Sequence, residues 1–468
     1  MTKIESQTTV STLGKFVKPS LIELLLLLIV AFSFSWFLSE SPPKGLIGWI
    51  YLNAYFDADI PRVFENLTIR ASGHHDTFKH PLFSIVFWPI TQSINTFVHN
   101  EYFSIRLMLA VNSSVSIAAL WSLLRKFRLP AIDRVLLTLL YLASGGFIFW
   151  YSVIETFPFG ATTLLIALHA VYWFKCTSPS ARIALTIFSG VASMSVTITN
   201  FAATVFAALT AHGVFDNVSL RSITETFKKQ IRPLLAYFAT VLFLAACLSV
   251  VQDRFFGDAT LFFNVRLFLK ETVHVGASNA VTLWARPVHL LVSPIVVPKV
   301  EFITIPSIFR TKAGLTFEDT LVLSARLKGI QFDTISSIVA SLAWSILLLS
   351  GVLSVFRSQA VFEPTRIEPL DSSLMNGFRT RKASFITLVL FFVMHLFYGQ
   401  MPFLYTAHML PLLTIVASGI FVPDCGLSSL ARNTFRGVLL TTIVSAGISN
   451  FVAFKEVVTT LSKGLGEA

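Results

Sequence analysis

Charge is scarce in this 468-residue chain: only 13% of residues are Asp, Glu, Lys or Arg, where a soluble domain carries about a quarter. With 54% hydrophobic residues and a mean hydropathy of +0.72, that scarcity excludes a soluble globular protein and makes the chain a polytopic membrane protein. Cysteine is scarce too. Cys176, Cys247 and Cys425 form no CxxC pair, so neither a disulfide framework nor a cysteine zinc site is supported. There is no Gly-rich phosphate loop, no nucleic-acid motif, no periodic repeat and no low-complexity tract. The net charge of +11 therefore reads as Lys and Arg held in cytoplasmic loops rather than as a nucleic-acid surface. No small-residue cleavage site follows the apolar stretch Leu21 to Leu38; "SESPPKG" follows instead, which predicts a retained anchor rather than a removed signal peptide.

What the chain does have is apolar runs of spanning length. They lie near 20–39, 103–124, 135–153, 157–174, 233–251, 336–356, 383–398, 404–422 and 436–453. The stretch 183–212 is too long for one helix and is interrupted by "SMSVTITN", so it reads as two helices meeting at a polar turn. These runs predict an all-α, polytopic transmembrane helix bundle of about 11–12 membrane segments. Lys3, Lys15 and Lys18 precede the first run, and "RKFRLPAIDR", "KCTSPSAR", "KKQIRP", "RTRK" and "ARNTFR" form further basic loops. The alternation puts the N-terminus in the cytoplasm. It fails once if 82–98 crosses fully. That segment carries Pro89, Thr91, Gln92, Ser93 and Asn95, and reads better as re-entrant, which requires a wet or protein-lined cavity. Three parts follow: an N-terminal transmembrane module 1–251 with a first outer loop 40–81, an outer segment 252–335 expected to form interfacial helices and irregular structure, and C-terminal transmembrane helices 336–468.

The ionisable groups cluster just after the first run. Asp57 and Asp59 form a D-x-D pair beyond the aromatic-rich interfacial stretch Gly45 to Phe56. In a low-dielectric cleft such a carboxylate gains basicity and can take a proton from a hydroxyl. The pair can equally hold a divalent cation, Mg or Mn, or be ordinary solvated loop acids. "HHDTFKHPLF" follows, with His74, His75, Asp76, Lys79 and His80 running into Pro81. Lys79 is placed to bind a lipid phosphate at the headgroup level, and His75 and His80 to donate hydrogen bonds to it or to position the acceptor. Asp76 is a supporting acid. A zinc site from His75, Asp76 and His80 is disfavoured by Pro81, and snorkelling polar residues are the plainer alternative. Glu155, in "FWYSVIETFPFG", shares the outer side with Asp57. His408, in "YTAHMLPLL", is a candidate for acceptor or metal support, while Asn200, His395 and His169 read as structural. Arg266, Lys270, Arg286 and Arg310 offer cations in the outer segment without a signal that singles one out.

The order "FDAD", then "KHPLF" opening the next membrane segment, then "ETFPF", then the late "YTAHMLPLL" resembles the GT-C class of polytopic glycosyltransferases, which includes protein mannosyltransferases, aminoarabinose transferases and oligosaccharyltransferase catalytic subunits. The architectural likeness covers most of the chain; the motifs cover Asp57 to Leu82 and, weakly, Glu155 and Tyr405 to Pro411. The resemblance implies a polyprenyl-phosphate-linked sugar donor, a glycan, lipid or protein acceptor, contact with membrane lipids, a home in the bacterial inner membrane and a periplasmic active site. It places Asp57 or Asp59 as catalytic base, Lys79 beside the lipid phosphate and Glu155 as second acid. The chain departs from the class in splitting the acidic pair with Ala58, in having His80 before Pro81 where two prolines are common, and in lacking the WWD motif, which disfavours asparagine glycosylation. An O-antigen polymerase or ligase, or a transporter or flippase of lipid-linked glycans, are the alternatives. Transport expects ionisable groups inside the spans and two similar halves; here the spans are nearly free of charge, the acids cluster outside them and no half-to-half repeat is evident.

Overall fold

The computed structural model describes residues 19–74, 77, 79–174, 177–216, 220–257, 259–270, 283–311, 314–327, 329–361, 372–399, 401–423 and 427–465. It is a helical membrane bundle. The helices are α1 (Pro19–Glu40), α2 (Ile60–Thr68), α3 (Phe83–Val98), α4 (Glu101–Lys126), α5 (Ala131–Ala143), α6 (Gly145–Trp150), α7 (Phe157–Trp173), α8 (Pro179–Val196), α9 (Ile198–Ala211), α10 (Leu220–Phe256), α11 (Val265–Lys270) and α12 (Arg286–Leu291). A β-hairpin follows, β1 (Glu301–Thr311) and β2 (Gly314–Arg326), and then α13 (Ile335–Val361), α14 (Ser372–Phe397), α15 (Thr406–Ala417) and α16 (Ser429–Gly464). Among the described residues 7 helices are long and apolar enough to cross a membrane; α7 and α9 are shorter apolar helices. Leu21, Ile22, Leu25, Leu26, Ile29 and Val30 stand exposed on α1, which is where lipid replaces protein as the apolar solvent.

Side-chain contacts fix which helix ends lie together. At one end of the α1–α4 pair, Tyr102 donates to the Ser39 carbonyl at 3.2 Å and Arg106 meets Glu40 at 3.2 Å. At the other end, Trp121 and Arg134 both reach Glu23, each at 2.6 Å. The two helices are therefore antiparallel, and residues 41–100 leave and return at the same end. This accounts for 82–98. It forms one 16-residue helix, roughly 24 Å long at ~1.5 Å per residue and short of the ~30 Å hydrocarbon core. It ends where α4 begins, at the end of the bundle that holds Ser39 and Glu40. His99 in the left-handed region (φ 49°) ends α3, and the Asn100 side chain accepts from Phe103 N–H to start α4.

The basic loops gather at the opposite end. Lys126 lies 2.6 Å from His169 near the end of α7, and Arg436 is paired with Asp133. "RTRK", expected as a loop, instead forms the early turns of α14 and is buried. The outer segment differs more. Besides the short helices α11 and α12 it contains an antiparallel hairpin, with Glu301 opposite Arg326 and Thr311 opposite Gly314. Its β-branched alternation ("FITIPSIF", "LTFEDTLVL") is a strand signal that the general apolarity of the segment masks. Asn450 of α16 ties this segment to the bundle, accepting from Val297 N–H at 2.8 Å and donating to the Ile295 carbonyl at 2.7 Å.

Candidate active site

The D-x-D pair lies in a strap of chain stitched to the hairpin. Ala325 N–H of β2 donates to the Ala54 carbonyl at 2.9 Å, and Phe56 N–H donates to the Ala325 carbonyl at 3.1 Å. Below the strap, Tyr55 donates to the Phe149 carbonyl at 3.1 Å, and the Phe56 ring sits among Phe149, Trp150 and Phe403. Asn53, Phe56 and Asp57 all have positive φ, at 65°, 50° and 67°. For non-glycine residues each such conformation costs of order 1–3 kcal/mol and persists only where the surroundings over-determine it. Here the hairpin and the aromatic cluster do so, and they aim Asp57 at Arg326, 2.9 Å away. Asp59, at the start of α2, pairs with Arg62 one turn on.

Glu155 meets this pair from below. It lies in the turn between α6 and α7 and is 3% exposed. Its Oε1 accepts from Asp59 N–H at 2.8 Å and its Oε2 from Thr156 N–H at 2.6 Å. Burial, and then the neighbouring Asp59 charge, push its carboxyl up to about 7, against the backbone hydrogen bonds and Arg62, which favour the ionised form. A carboxylate poised there exchanges a proton at neutral pH.

The Lys79–Pro81 turn comes from the other side. It is anchored on the break between α8 and α9: Ile198 N–H donates to the Lys79 carbonyl and Leu82 N–H to the Ser195 carbonyl, both at 3.1 Å. Gln252 of α10 donates to the Pro81 carbonyl at 2.8 Å. His80 Nδ1 lies 2.6 Å from the Val196 carbonyl, which can only accept, so Nδ1 carries the proton. Burial and then Arg62 lower the His80 pKa to about 3. The ring is neutral, and Nε2 is left as an acceptor. This lets Nε2 accept a hydrogen bond and position an acceptor hydroxyl, the second of the two roles the sequence offered, rather than donate to phosphate; so weak a base leaves the proton itself to the carboxylates. Arg62, Thr77, His80 and Thr156 line a narrow recess beside Glu155.

The structure thus brings Asp59, Arg62, Glu155 and His80 together, with Lys79 next to His80 and Asp57 turned to Arg326. His75 and Asp76 lie outside the described residues. His408 sits deeper, 2% exposed, its Nε2 over Gly160 where an added Cβ would come within 2.1 Å. Asn200 donates to the Gly160 carbonyl at 3.0 Å, so His408 and Asn200 pack the first turns of α7 behind Glu155. Arg286 donates to the His395, Leu396 and Gly399 carbonyls and caps α14. Arg62 and Arg326 were missed by the sequence reading. Arg62 had a signal, an acid three residues earlier at a helix start. Arg326 had none, because only the hairpin carries it to Asp57. A divalent cation at Asp57 and Asp59 would compete with Arg326 and Arg62 for the same oxygens. Among the described residues no three acids, histidines or cysteines converge on a ligand set.

No family model and no curated protein matches the chain. Among solved structures, the apo form of an oligosaccharyltransferase from Archaeoglobus fulgidus is similar over 92% of this chain and 56% of that one, with 12% identity and a TM-score of 0.46. The chain spans little more than half the length of that protein.

Proposed function

We propose that the protein is a membrane glycosyltransferase of the GT-C kind, moving a sugar from a polyprenyl-phosphate-linked donor to a glycan, lipid or protein hydroxyl on the outer, periplasmic face. The observation that carries the reading is the convergence of Asp59 and the proton-poised Glu155 with Arg62, Lys79 and His80 at the outer end of a multi-pass bundle. A lipid-linked donor needs no nucleotide loop, and its phosphate needs cations at the headgroup level. Arg62, Arg326 and Lys79 supply them, and an incoming phosphate that takes over Arg62 releases Asp59. The acceptor oxygen attacks the anomeric carbon, the carbon–oxygen bond to phosphate breaks, lipid phosphate leaves, and the hydroxyl proton passes to a carboxylate of the Asp57–Asp59–Glu155 group. A single direct displacement inverts the anomeric configuration.

The test is complementation of cells lacking the protein with wild type, Asp57→Asn or Asp59→Asn, followed by mass spectrometry of surface and lipid-linked glycans. A sugar of fixed mass that is absent in the deletion and restored by wild type but not by an Asp variant supports transfer and identifies the sugar. Unchanged glycans in the deletion strain would overturn the proposal.

A further inference from the structure

Three cations near the start of α14 are withdrawn from solvent. Arg379, Arg381 and Lys382 are 6%, 5% and 8% exposed, although a basic segment that merely obeys the positive-inside rule gains nothing from burial. Arg379 grips Asp216 just beyond α9, with Nε 3.0 Å from Oδ1, and Lys382 donates to the Phe215 carbonyl. Arg182 of α8 lies over the Phe174 ring at 4.8 Å, and His212 packs against the same ring at 4.6 Å. Arg182, Arg379 and Lys382 therefore surround the turn after α9, where Asp216 is their acid among the described residues. His212 adds no positive charge to offset, because burial lowers its pKa.

The hydrogen-bond inventory points the same way. Arg379 Nη1 and Arg182 Nε are buried donors without an acceptor, and a buried unmet donor is costly. What this cluster lacks is negative charge and acceptor oxygens together. It lies at the basic end of a bundle of membrane-spanning helices, and anionic headgroups occupy basic pockets between such helices. We propose that this cluster binds the phosphate of an anionic phospholipid, at the end of the protein opposite the candidate active site. The lipid bridges α8, the turn after α9 and the start of α14.

The test uses the purified full-length protein in nanodiscs and mixed micelles containing phosphatidylglycerol or phosphatidylcholine. Bound lipid is read by native mass spectrometry and unfolding by tryptophan fluorescence. Wild type is expected to retain phosphatidylglycerol over phosphatidylcholine and to unfold at higher temperature with it. Arg379→Gln with Lys382→Gln should cut that preference by roughly thirtyfold, and Arg182→Gln by roughly fivefold. Arg182→Gln leaves the Arg379–Asp216 pair in place and decides the matter if the double variant does not fold. Equal retention of the two lipids by wild type, or undiminished preference in Arg182→Gln, would overturn the proposal. So would inorganic phosphate reproducing the full stabilisation, since the ligand would then be a free ion.

Discussion

Among the individual residues, Glu155 makes the sharpest commitments. A base must be ionised to accept a proton, so transfer should rise with pH through about 7 and level off above it. Glu155→Gln should lower the rate by about 10²–10⁴-fold and remove that inflection; a variant that keeps the wild-type pH profile would dismiss Glu155 from proton transfer. Stability should move the opposite way. The folded-state pKa is raised from 4.5 to about 7, so the folded protein holds the proton more tightly than the unfolded chain. Its contribution is favourable below the unfolded value and is lost as pH climbs from there through the folded value. The stability of Glu155→Gln relative to wild type should therefore improve between pH 5 and pH 8, by up to about 3 kcal/mol, in unfolding series at the two pH values. Behind Glu155, Gly160→Ala would drive a Cβ to 2.1 Å from His408 Nε2. Forced repacking of this kind costs about 1–3 kcal/mol, and displacing the first turn of α7 should depress activity further than the loss of folded protein accounts for.

Among the elements, the hairpin acts as the clamp on the acidic strap. Ala325→Pro removes one N–H, the one that bonds Ala54. The expected result is a protein that inserts normally, is cleaved faster by protease within 53–58, and has lost at least about tenfold in activity, as misplacement of a catalytic group by about 1 Å would cause. Normal cleavage and activity would mean that the aromatic cluster alone holds the strap. This element also shows where the sequence stops being informative. The spanning helices are legible because apolar runs of membrane length have one outcome in lipid. The acids Asp57, Asp59 and Glu155 are legible because charge beside such runs is rare. The hairpin was obscured because an alternating pattern inside a generally apolar segment does not declare itself. The Asp57–Arg326 pair depends on a tertiary contact that no local pattern encodes. The burial of Arg379 to Lys382 was hidden by their likeness to an ordinary basic loop.

The whole molecule has two chemically distinct ends, and its topology follows from their separation. The α1–α4 contacts return residues 41–100 to the end from which they left, which restores the alternation of the basic loops. Arg125 to Arg134 then lies at the Glu23 end, on the side of the N-terminus. If α3 instead crossed the bilayer, that loop would lie on the acidic side and the charge asymmetry would break. Single cysteines at His99 and at Arg128, in a background with the three native cysteines replaced, separate the two cases by labelling with an impermeant maleimide. The 99 position should label from outside intact cells together with a cysteine at Lys44, and the 128 position only after the cells are opened. Labelling of 128 from outside would reverse the assignment of α3.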